Sequence, residues 1–225
     1  MRRPLMPAEL PTLDGPRLAP HGGGRPLLLV VLCHGVGADG RDLAALAEEI
    51  APELPAAAFA CPDAPEPFAF APVGRQWFPL LDLSPAALAA GVRRAAPALA
   101  RFVAQEAARL GLPMERVVLG GFSQGGMIAL HTGLGMASPP AAVAAFSGAL
   151  PVLPSPCARI PVLLVHGEDD PVVPVALTRQ AEEALQRAEV PVTALYRPGL
   201  GHGIDGAGLA ALVALCRPFT QVPRA

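Results

Sequence analysis

The chain has 225 residues, a formal net charge of −2 and 52% hydrophobic residues, and this length suits one domain with a full core. All 17 basic side chains are arginines, so lysine chemistry such as a Schiff base or a P-loop lysine is excluded. The arginines are dispersed and form no basic patch, which disfavours a nucleic-acid-binding protein.

The N-terminal segment, the apolar runs and the cysteines indicate where the protein works. The start of the chain, MRRPLMPAELP, lacks the apolar stretch that is typical of a secretory signal. The longest apolar run, residues 26–33, is far shorter than the about 20 residues that span a bilayer. Four cysteines lie far apart without a C-x-x-C pair, which favours reduced thiols. We therefore expect a cytoplasmic protein with no stable membrane anchor.

Strand and helix patterns alternate through the first part of the chain. A short strand is expected near residues 17–19, and residues 26–33 form a continuous apolar run, which indicates a strand buried on both faces of a parallel sheet. Residues 39–50 have the apolar spacing of a helix. A second short apolar strand follows at 57–61, and the proline-rich residues 62–83 predict a long loop.

A long helix is predicted after this loop. Ser84 is a typical helix cap, Pro85 is a typical first helical residue, and the helical pattern continues to about Leu110. Pro97 lies inside this pattern and predicts a kink or a break. The alternation then continues with strand 116–120, helix 124–134, strand 141–146, strand 161–166, helix 175–188, strand 190–196 and helix 204–216.

This alternation predicts the fold class. Strands and helices in alternation, joined by short loops, are typical of an α/β protein with a mainly parallel, doubly wound sheet and helices on both faces. We expect one such domain over residues 26–225, with the proline- and glycine-rich residues 1–25 packed on it as an N-terminal segment. Only about 14 residues separate strand 141–146 from strand 161–166, which is too few for a cap domain over a site at the strand ends.

The strongest motif is the G-x-S-x-G sequence of residues 121–125. It follows a predicted strand and opens a predicted helix, and in this context the motif places a nucleophilic serine on a tight turn. The N-terminus of the helix favours negative charge that develops at the serine. The alternative is a glycine-rich turn with an incidental serine. We predict that Ser123 is a nucleophile.

A nucleophilic serine needs a base, and the base needs an orienting acid. In α/β-hydrolases the acid and then the histidine follow the serine along the chain. His202 fits, because it lies in a glycine-rich loop between the last strand and the last helix. Three carboxylates compete for the acid, namely Glu168, Asp169 and Asp170. Pro171 fixes the backbone beside Asp170 and favours it, while Asp169 remains the alternative on spacing alone.

Two backbone N–H groups are expected to stabilise the oxyanion. Gln124 supplies one as the residue after the nucleophile, and Val36, in the loop after the first buried strand, is the candidate for the other. His34 and His166 are expected to make structural hydrogen bonds, and His131 to pack or to cap. No metal-ligand cluster is visible in the sequence, so we expect neither a metal nor an organic cofactor.

Together these motifs resemble the phospholipase/carboxylesterase family of α/β-hydrolases, which includes small bacterial serine esterases and the related acyl-protein thioesterases. The resemblance extends from about residue 26 to 217 and implies an α/β-hydrolase fold and a Ser-His-Asp triad. Six motifs in family order carry it: His34-Gly-Val-Gly, Gly74-Arg-Gln-Trp-Phe78, Gly120-Gly-Phe-Ser-Gln-Gly-Gly126, Phe146-Ser-Gly148, His166-Gly-x-x-Asp170-Pro-Val-Val-Pro174 and Gly201-His202.

The resemblance also has implications for single residues. It favours Asp170 as the acid, because the acid of the family directly precedes this proline. It implies that the loop with Trp77 and Phe78 lies near the acyl pocket, and packing in the core is the alternative. Thioesterase members usually carry leucine where Val36 stands, and residues 75–78 look more like the bacterial esterase branch.

The sequence therefore predicts a carboxylesterase that acts on small-molecule esters. Short to medium acyl chains are expected because no cap covers the site. An acyl-protein thioesterase, a lysophospholipase or a peptidase with the same triad is the alternative, since a triad does not encode the leaving group. A catalytically inactive binding protein on this fold is least favoured, because every part of the triad is present. An exposed apolar face near an open site is compatible with a homodimer.

Overall fold

The computed structural model describes residues 10–71 and 73–221 of the chain. Nine strands and five α-helices are defined in the described part. The strands are β1 (Arg17–Leu18), β2 (Leu28–Cys33), β3 (Ala57–Ala60), β4 (Glu66–Pro67), β5 (Arg75–Gln76), β6 (Val117–Phe122), β7 (Ala142–Phe146), β8 (Val162–Gly167) and β9 (Val192–Arg197). The helices are α1 (Gly40–Ile50), α2 (Pro85–Leu110), α3 (Gln124–Gly135), α4 (Val175–Arg187) and α5 (Gly206–Cys216).

Seven strands form one sheet in the order β1-β3-β2-β6-β7-β8-β9. All neighbouring pairs are parallel except β1 with β3, which is antiparallel. The short strands β4 and β5 form a separate antiparallel pair. Every residue of β2, β3, β7 and β8 is buried, as expected for parallel strands that are covered on both faces.

The side chains of the sheet alternate between two apolar layers. Leu29, Val31 and Cys33 of β2 pack with residues of α2, α3 and α4 on one face. Leu28, Val30 and Leu32 pack with residues of α1 and α5 on the other. Burial of each leucine or valine side chain stabilises the folded state by about 1.5–3 kcal/mol relative to its exposure to water. The predicted α/β class with helices on both faces of a mainly parallel sheet is therefore confirmed.

Side-chain caps define where three helices begin. Oγ of Ser84 accepts a hydrogen bond from the N–H of Ala87, and Pro85 is the first residue of α2, as predicted. Asp39 and Asp205 cap α1 and α5 in the same way. Helix α2 continues through Pro97 to Leu110, so the alternative of a break at this proline is wrong. A single proline removes only one N–H, and packing of the flanking turns against α3 and the sheet maintains the helix.

The long loop before α2 contains two strands that short sequence patterns do not reveal. The predicted loop 62–83 contains the β4–β5 pair, whose strands of two residues each are too short for a hydropathy pattern. Residues 147–161, between β7 and β8, contain no helix, and therefore no cap domain lies there. No helix in the described part of the chain is long and apolar enough to cross a membrane.

The predicted N-terminal segment is described from residue 10 onward, and its first nine residues lie outside the described part. In the described portion, Leu13 is buried and β1 pairs with β3. Arg17 of β1 also forms an ion pair with Glu106 of α2, with 2.8 Å between Nη2 and Oε1. That residues 1–25 as a whole pack on a domain of residues 26–225 stays a prediction.

Candidate active site

Ser123 lies on the turn between β6 and α3, with φ of 56° and ψ of −120°. This is a backbone conformation that residues with a side chain rarely adopt. A Cβ at Gly121 would lie 2.3 Å from the carbonyl oxygen of Gly125, and one at Gly125 would lie 2.0 Å from that of Cys33. Only glycine fits at either position, so the close approach of α3 to the ends of β2 and β6 explains the G-x-S-x-G spacing.

The structure brings Ser123, His202 and Asp170 together in one hydrogen-bonded chain. Nε2 of His202 lies 3.1 Å from Oγ of Ser123, and Nδ1 lies 2.7 Å from Oδ2 of Asp170. The ring of His202 packs on Phe122, with 4.7 Å between ring centroids. A neutral imidazole that carries its proton on Nδ1 can accept the serine proton at Nε2. The three side chains therefore have the geometry of a nucleophile, a base and an orienting acid.

Asp170 accepts hydrogen bonds at both carboxylate oxygens. Oδ1 accepts from the backbone N–H groups of Val172 and Val173 at 2.8 and 2.9 Å, while Oδ2 faces His202. Burial raises the pKa of Asp170, but the hydrogen bonds from His202, Val173 and Val172 outweigh it and leave the pKa below its usual value. Asp170 is therefore a carboxylate at neutral pH.

The two competing carboxylates face elsewhere. Glu168 forms an ion pair with Arg179, with 2.9 Å between oxygen and nitrogen. Asp169 is exposed, and its side chain makes no hydrogen bond to another residue of the described part. Of the three candidates, Asp170 contacts His202, as the proline beside it had suggested.

A second histidine, His166 at the end of β8, also lies close to Asp170. Its Nε2 is 2.8 Å from the carbonyl oxygen of Val173 and 3.2 Å from Oδ2 of Asp170. Its Nδ1 is 2.5 Å from Oγ1 of Thr178. His166 therefore supports the turn that carries Asp170. The sequence predicts structural hydrogen bonds for it, but no spacing signal indicates the contact with Asp170.

Two backbone N–H groups beside Ser123 are unpartnered. Neither Val36 nor Gln124 donates its amide N–H to an acceptor in the described residues, and Gln124 is the first residue of α3, where such donors are normally free. The Val36 loop is close to the serine, because a Cβ at Gly35 would lie 3.3 Å from Cβ of Ser123. The arrangement suits an oxyanion hole.

A pocket of about 490 Å³ opens beside Ser123 and His202. Among its lining residues, Asp42 of α1 is the one with a carboxylate side chain. Most of the other lining side chains are apolar: Val36, Ala38, Leu43, Leu46, Phe122, Val172 and Ile204. The pocket can therefore hold an acyl or alcohol group whose ester carbonyl lies at the serine.

Trp77 and Phe78 are absent from this lining, which corrects the expectation that they belong to the acyl pocket. Both side chains are 1% exposed and pack in the core between the sheet and α2. The tight fit is visible at Gly91 of α2, where a Cβ would lie 2.3 Å from the ring of Phe78. The alternative of core packing describes their position, because two large rings are buried more favourably than exposed at a pocket rim.

His34, directly after β2, and His131 of α3 lie outside the hydrogen-bonded chain. Nδ1 of His34 is 2.7 Å from the carbonyl oxygen of Gly35, and Nε2 accepts from the N–H of Ala64 at 2.9 Å. Burial lowers the pKa of His34, so it is neutral. Nδ1 of His131 is 3.0 Å from the carbonyl oxygen of Val152. These contacts are structural, as expected.

Comparisons with known proteins identify relatives of this chain. Residues 22–216 match the model of the phospholipase/carboxylesterase family. Acyl-protein thioesterase 1 of Mycosarcoma maydis is 32% identical over 176 residues, which cover 68% of this chain and 73% of that protein. The crystal structure of esterase PE8 superposes with a TM-score of 0.86 at 38% identity, covering 92% of this chain and 99% of that one. Zea mays acyl-protein thioesterase 2 shares the fold, with a TM-score of 0.73 at 22% identity and coverage of 92% and 100%.

Proposed function

The chain belongs to the phospholipase/carboxylesterase family, and we propose that it is a carboxylesterase in which Ser123 is the nucleophile, His202 the base and Asp170 the orienting acid. One observation carries the proposal, namely the hydrogen-bonded chain Ser123–His202–Asp170, with 3.1 and 2.7 Å between successive partners. Ser123 and His202 line an apolar pocket together with Val36, and the N–H groups of Val36 and Gln124 are free in the described residues.

The proposed cycle has two halves. In the first, Nε2 of His202 takes the proton of Ser123 while Oγ attacks the ester carbonyl, and the N–H groups of Val36 and Gln124 stabilise the oxyanion. The imidazolium then gives its proton to the leaving alcohol as the C–O bond breaks, which leaves an acyl-serine. In the second half, water attacks the acyl-serine by the same proton transfers. Asp170 holds the tautomer of His202 and stabilises the imidazolium.

Replacing the nucleophile tests this proposal. We expect Ser123→Ala to lower kcat toward p-nitrophenyl butyrate by about 10⁴-fold or more, because the acyl-enzyme can no longer form. A fluorophosphonate probe is expected to add to the wild-type chain at Ser123. Ser138→Ala, at an exposed loop serine, is the matched control and should keep wild-type activity and labelling. Full activity of Ser123→Ala would show that Ser123 is not the nucleophile, and a wild-type protein that neither labels nor hydrolyses esters would support the inactive binding protein instead.

We propose a substrate with a short to medium acyl chain, because no cap domain lies between β7 and β8 to cover a long one. Each CH₂ group that enters an apolar pocket contributes about 0.8 kcal/mol of binding free energy, so kcat/KM is expected to rise up to about fourfold per CH₂ until the chain reaches the open end of the pocket. A series of p-nitrophenyl esters from acetate to palmitate measures this. We expect a maximum at a short to medium chain, and a maximum at palmitate would contradict the assignment.

A thioesterase is the second candidate, because the relative in Mycosarcoma maydis is named an acyl-protein thioesterase. Esters and thioesters with the same acyl group, and a lysophospholipid, distinguish the alternatives when kcat/KM is compared with Ser123→Ala as the background. We expect the oxygen ester to be preferred.

We also propose a cytoplasmic location. It fits the four free thiols, which belong to Cys33, Cys61, Cys157 and Cys216. The homodimer stays a prediction that sedimentation velocity measures.

A further inference from the structure

Trp77 contacts both segments that carry the proposed oxyanion donors. Its indole Nε1–H donates to the carbonyl oxygen of His34 at 2.9 Å, across 43 positions of the chain. Its backbone N–H donates to Oε1 of Gln124 at 2.9 Å, across 47 positions. Val36 lies two residues after His34, and Gln124 carries the other donor itself. One residue therefore connects the two halves of the oxyanion hole.

The side-chain amide of Gln124 is held at both ends. While its Oε1 accepts from Trp77, its Nε2 donates to the carbonyl oxygen of Phe78 at 2.7 Å. Gln124 is 1% exposed. Removing a hydrogen-bond partner of such a buried polar group destabilises the protein. The orientation of the first turn of α3 is thus fixed by residues 77 and 78.

Backbone pairing fixes the other side of the Val36 loop. The N–H of Gly37 donates to the carbonyl oxygen of Arg75, and the N–H of Arg75 donates to that of Ala38, both at 2.8 Å. The contact is close, because a Cβ at Gly74 would lie 2.1 Å from the carbonyl oxygen of Gly37. Residues after Val36 are therefore held by Arg75, and residues before it by the indole of Trp77.

Position matters in an oxyanion hole more than in most hydrogen-bonded sites. The donors must lie about 2.7–3.1 Å from the oxyanion to stabilise it, and a displacement of about 1 Å costs a large part of the rate. Val36 lies in the loop after β2 and Gln124 at the start of α3, and the relative position of their N–H groups depends on what joins these two segments. The described contacts place Trp77 at that junction.

We propose that Trp77 is a positioning residue of the oxyanion hole, and that its indole N–H, through His34, sets the place of the Val36 amide relative to that of Gln124. The inference rests on the proposed esterase function. Trp77 touches no reacting atom and does not line the pocket. Its loss should therefore reduce stabilisation of the tetrahedral state and leave binding of the ester unchanged.

The chain contains a single tryptophan, so replacing tryptophan throughout the protein changes residue 77 alone. The test uses a tryptophan isostere in which sulfur replaces the ring N–H. We expect kcat toward p-nitrophenyl butyrate to fall about tenfold, because one buried hydrogen bond is lost, with KM within about twofold. The affinity for a trifluoromethyl ketone, which forms a tetrahedral adduct with the serine, should fall by the same factor. A role in core packing alone would lower the urea midpoint without this matched loss.

Two controls separate position from stability. Protein with 5-fluorotryptophan keeps the N–H donor and should keep wild-type kcat. Glu106→Gln removes the anion of an ion pair between β1 and α2, so it should lower stability without changing kcat or ketone affinity. Trp77→Phe also removes the donor and is measured in the same way, so that the test does not depend on folding of the isostere.

The outcomes distinguish this inference from the proposed function. If protein with the sulfur isostere or Trp77→Phe folds and keeps wild-type kcat and ketone affinity, the positioning role is refuted while the esterase remains. If KM rises and kcat stays constant, Trp77 acts in substrate binding and the inference also fails. If the wild-type protein shows no esterase activity that depends on Ser123, the proposed function itself fails.

Discussion

Asp169 and Asp170 are adjacent carboxylates whose surroundings give them different chemistry. Asp169 is exposed, so water solvates its charge. The side chain of Asp170 is fully buried and faces three donors, from Val172, Val173 and His202. These donors keep the pKa of Asp170 below its usual value in spite of burial, which alone raises it. At the scale of residues, the environment favours Asp170 over Asp169 as the proposed acid.

The pair supplies a matched test. Asp170→Asn is expected to lower kcat by about 10³–10⁴-fold, because an amide cannot stabilise the imidazolium and favours the wrong tautomer of His202. Asp169→Asn should stay within about twofold of the wild type, since its side chain lies in solvent. Both are measured with p-nitrophenyl butyrate at pH 8. A larger effect at Asp169 would transfer the orienting role to that residue.

At the scale of elements, the site depends on how closely α3 approaches the ends of β2 and β6. The approach is possible because Gly121 and Gly125 have no side chain. It places Ser123 at the N-terminus of a helix of 12 residues, where the free N–H groups and the helix dipole favour negative charge. The two glycines of the motif are thus required by the close contact between α3 and the ends of β2 and β6.

Gly125→Ala tests this contact. A Cβ there would lie 2.0 Å from the carbonyl oxygen of Cys33 and 2.5 Å from that of His34. We expect α3 to move away, with a loss of about 3 kcal/mol in the free energy of unfolding and at least about a tenfold loss of kcat. Urea unfolding followed by Trp77 fluorescence and the esterase assay measure the two effects.

Gly206→Ala is the control for this substitution. Gly206 is the first residue of α5, and a Cβ there meets nothing within 4 Å. We expect alanine to raise the free energy of unfolding by up to about 1 kcal/mol, because it restricts the unfolded chain and suits a helix. Equal losses at Gly125 and Gly206 would show that the contact between α3 and β2 is not what constrains the motif.

The whole molecule assembles the site through its topology. The candidate site residues follow four different strands: Val36 comes after β2, Ser123 after β6, Asp170 after β8 and His202 after β9. Because these strands are parallel, their carboxyl ends meet at one edge of the sheet, where ligands bind in open α/β sheets.

Far from the site, the buried carboxylate of Glu106 binds the described N-terminal segment through Arg17 of β1. Glu106 of α2 accepts from Arg17 at Oε1 and from Arg109 at Oε2, at 2.8 and 2.7 Å. Burial raises the pKa of Glu106, but the hydrogen bonds and charges of the two arginines outweigh it and leave the pKa below its usual value. The folded protein therefore stabilises the charged form of Glu106 relative to the unfolded chain.

This predicts a pH-dependent stability. A depressed carboxyl pKa stabilises the fold above the unfolded value of about 4.3, and the contribution is lost as the pH falls through the folded value. We expect Glu106→Gln to lower the free energy of unfolding by roughly 2 kcal/mol at pH 7, and the difference from the wild type to shrink below about pH 4. Glu115→Gln, at an exposed glutamate, should change it by less than about 0.5 kcal/mol. Urea titrations at pH 7 and pH 3 measure both, and a constant difference would contradict the assignment.

The sequence by itself determined the fold class, the family and the candidate nucleophile. The continuous apolar run of residues 26–33, the helical spacing that follows it and the G-x-S-x-G turn at Ser123 are local patterns. Such patterns can be recognised in the sequence because residues that are neighbours along the chain belong to one strand or one helix. The order of serine, acid and histidine then placed His202 after the last strand.

Only the tertiary structure decided which side chains touch. It shows that Asp170 rather than Asp169 contacts His202, that His166 lies beside Asp170, and that Trp77 lies between the loop after β2 and the start of α3 rather than in the pocket. The partners of Trp77 lie 43 and 47 positions away, and no periodicity encodes contacts over such separations. The physical reason is that they depend on how helices and strands pack together, which the whole chain determines at once.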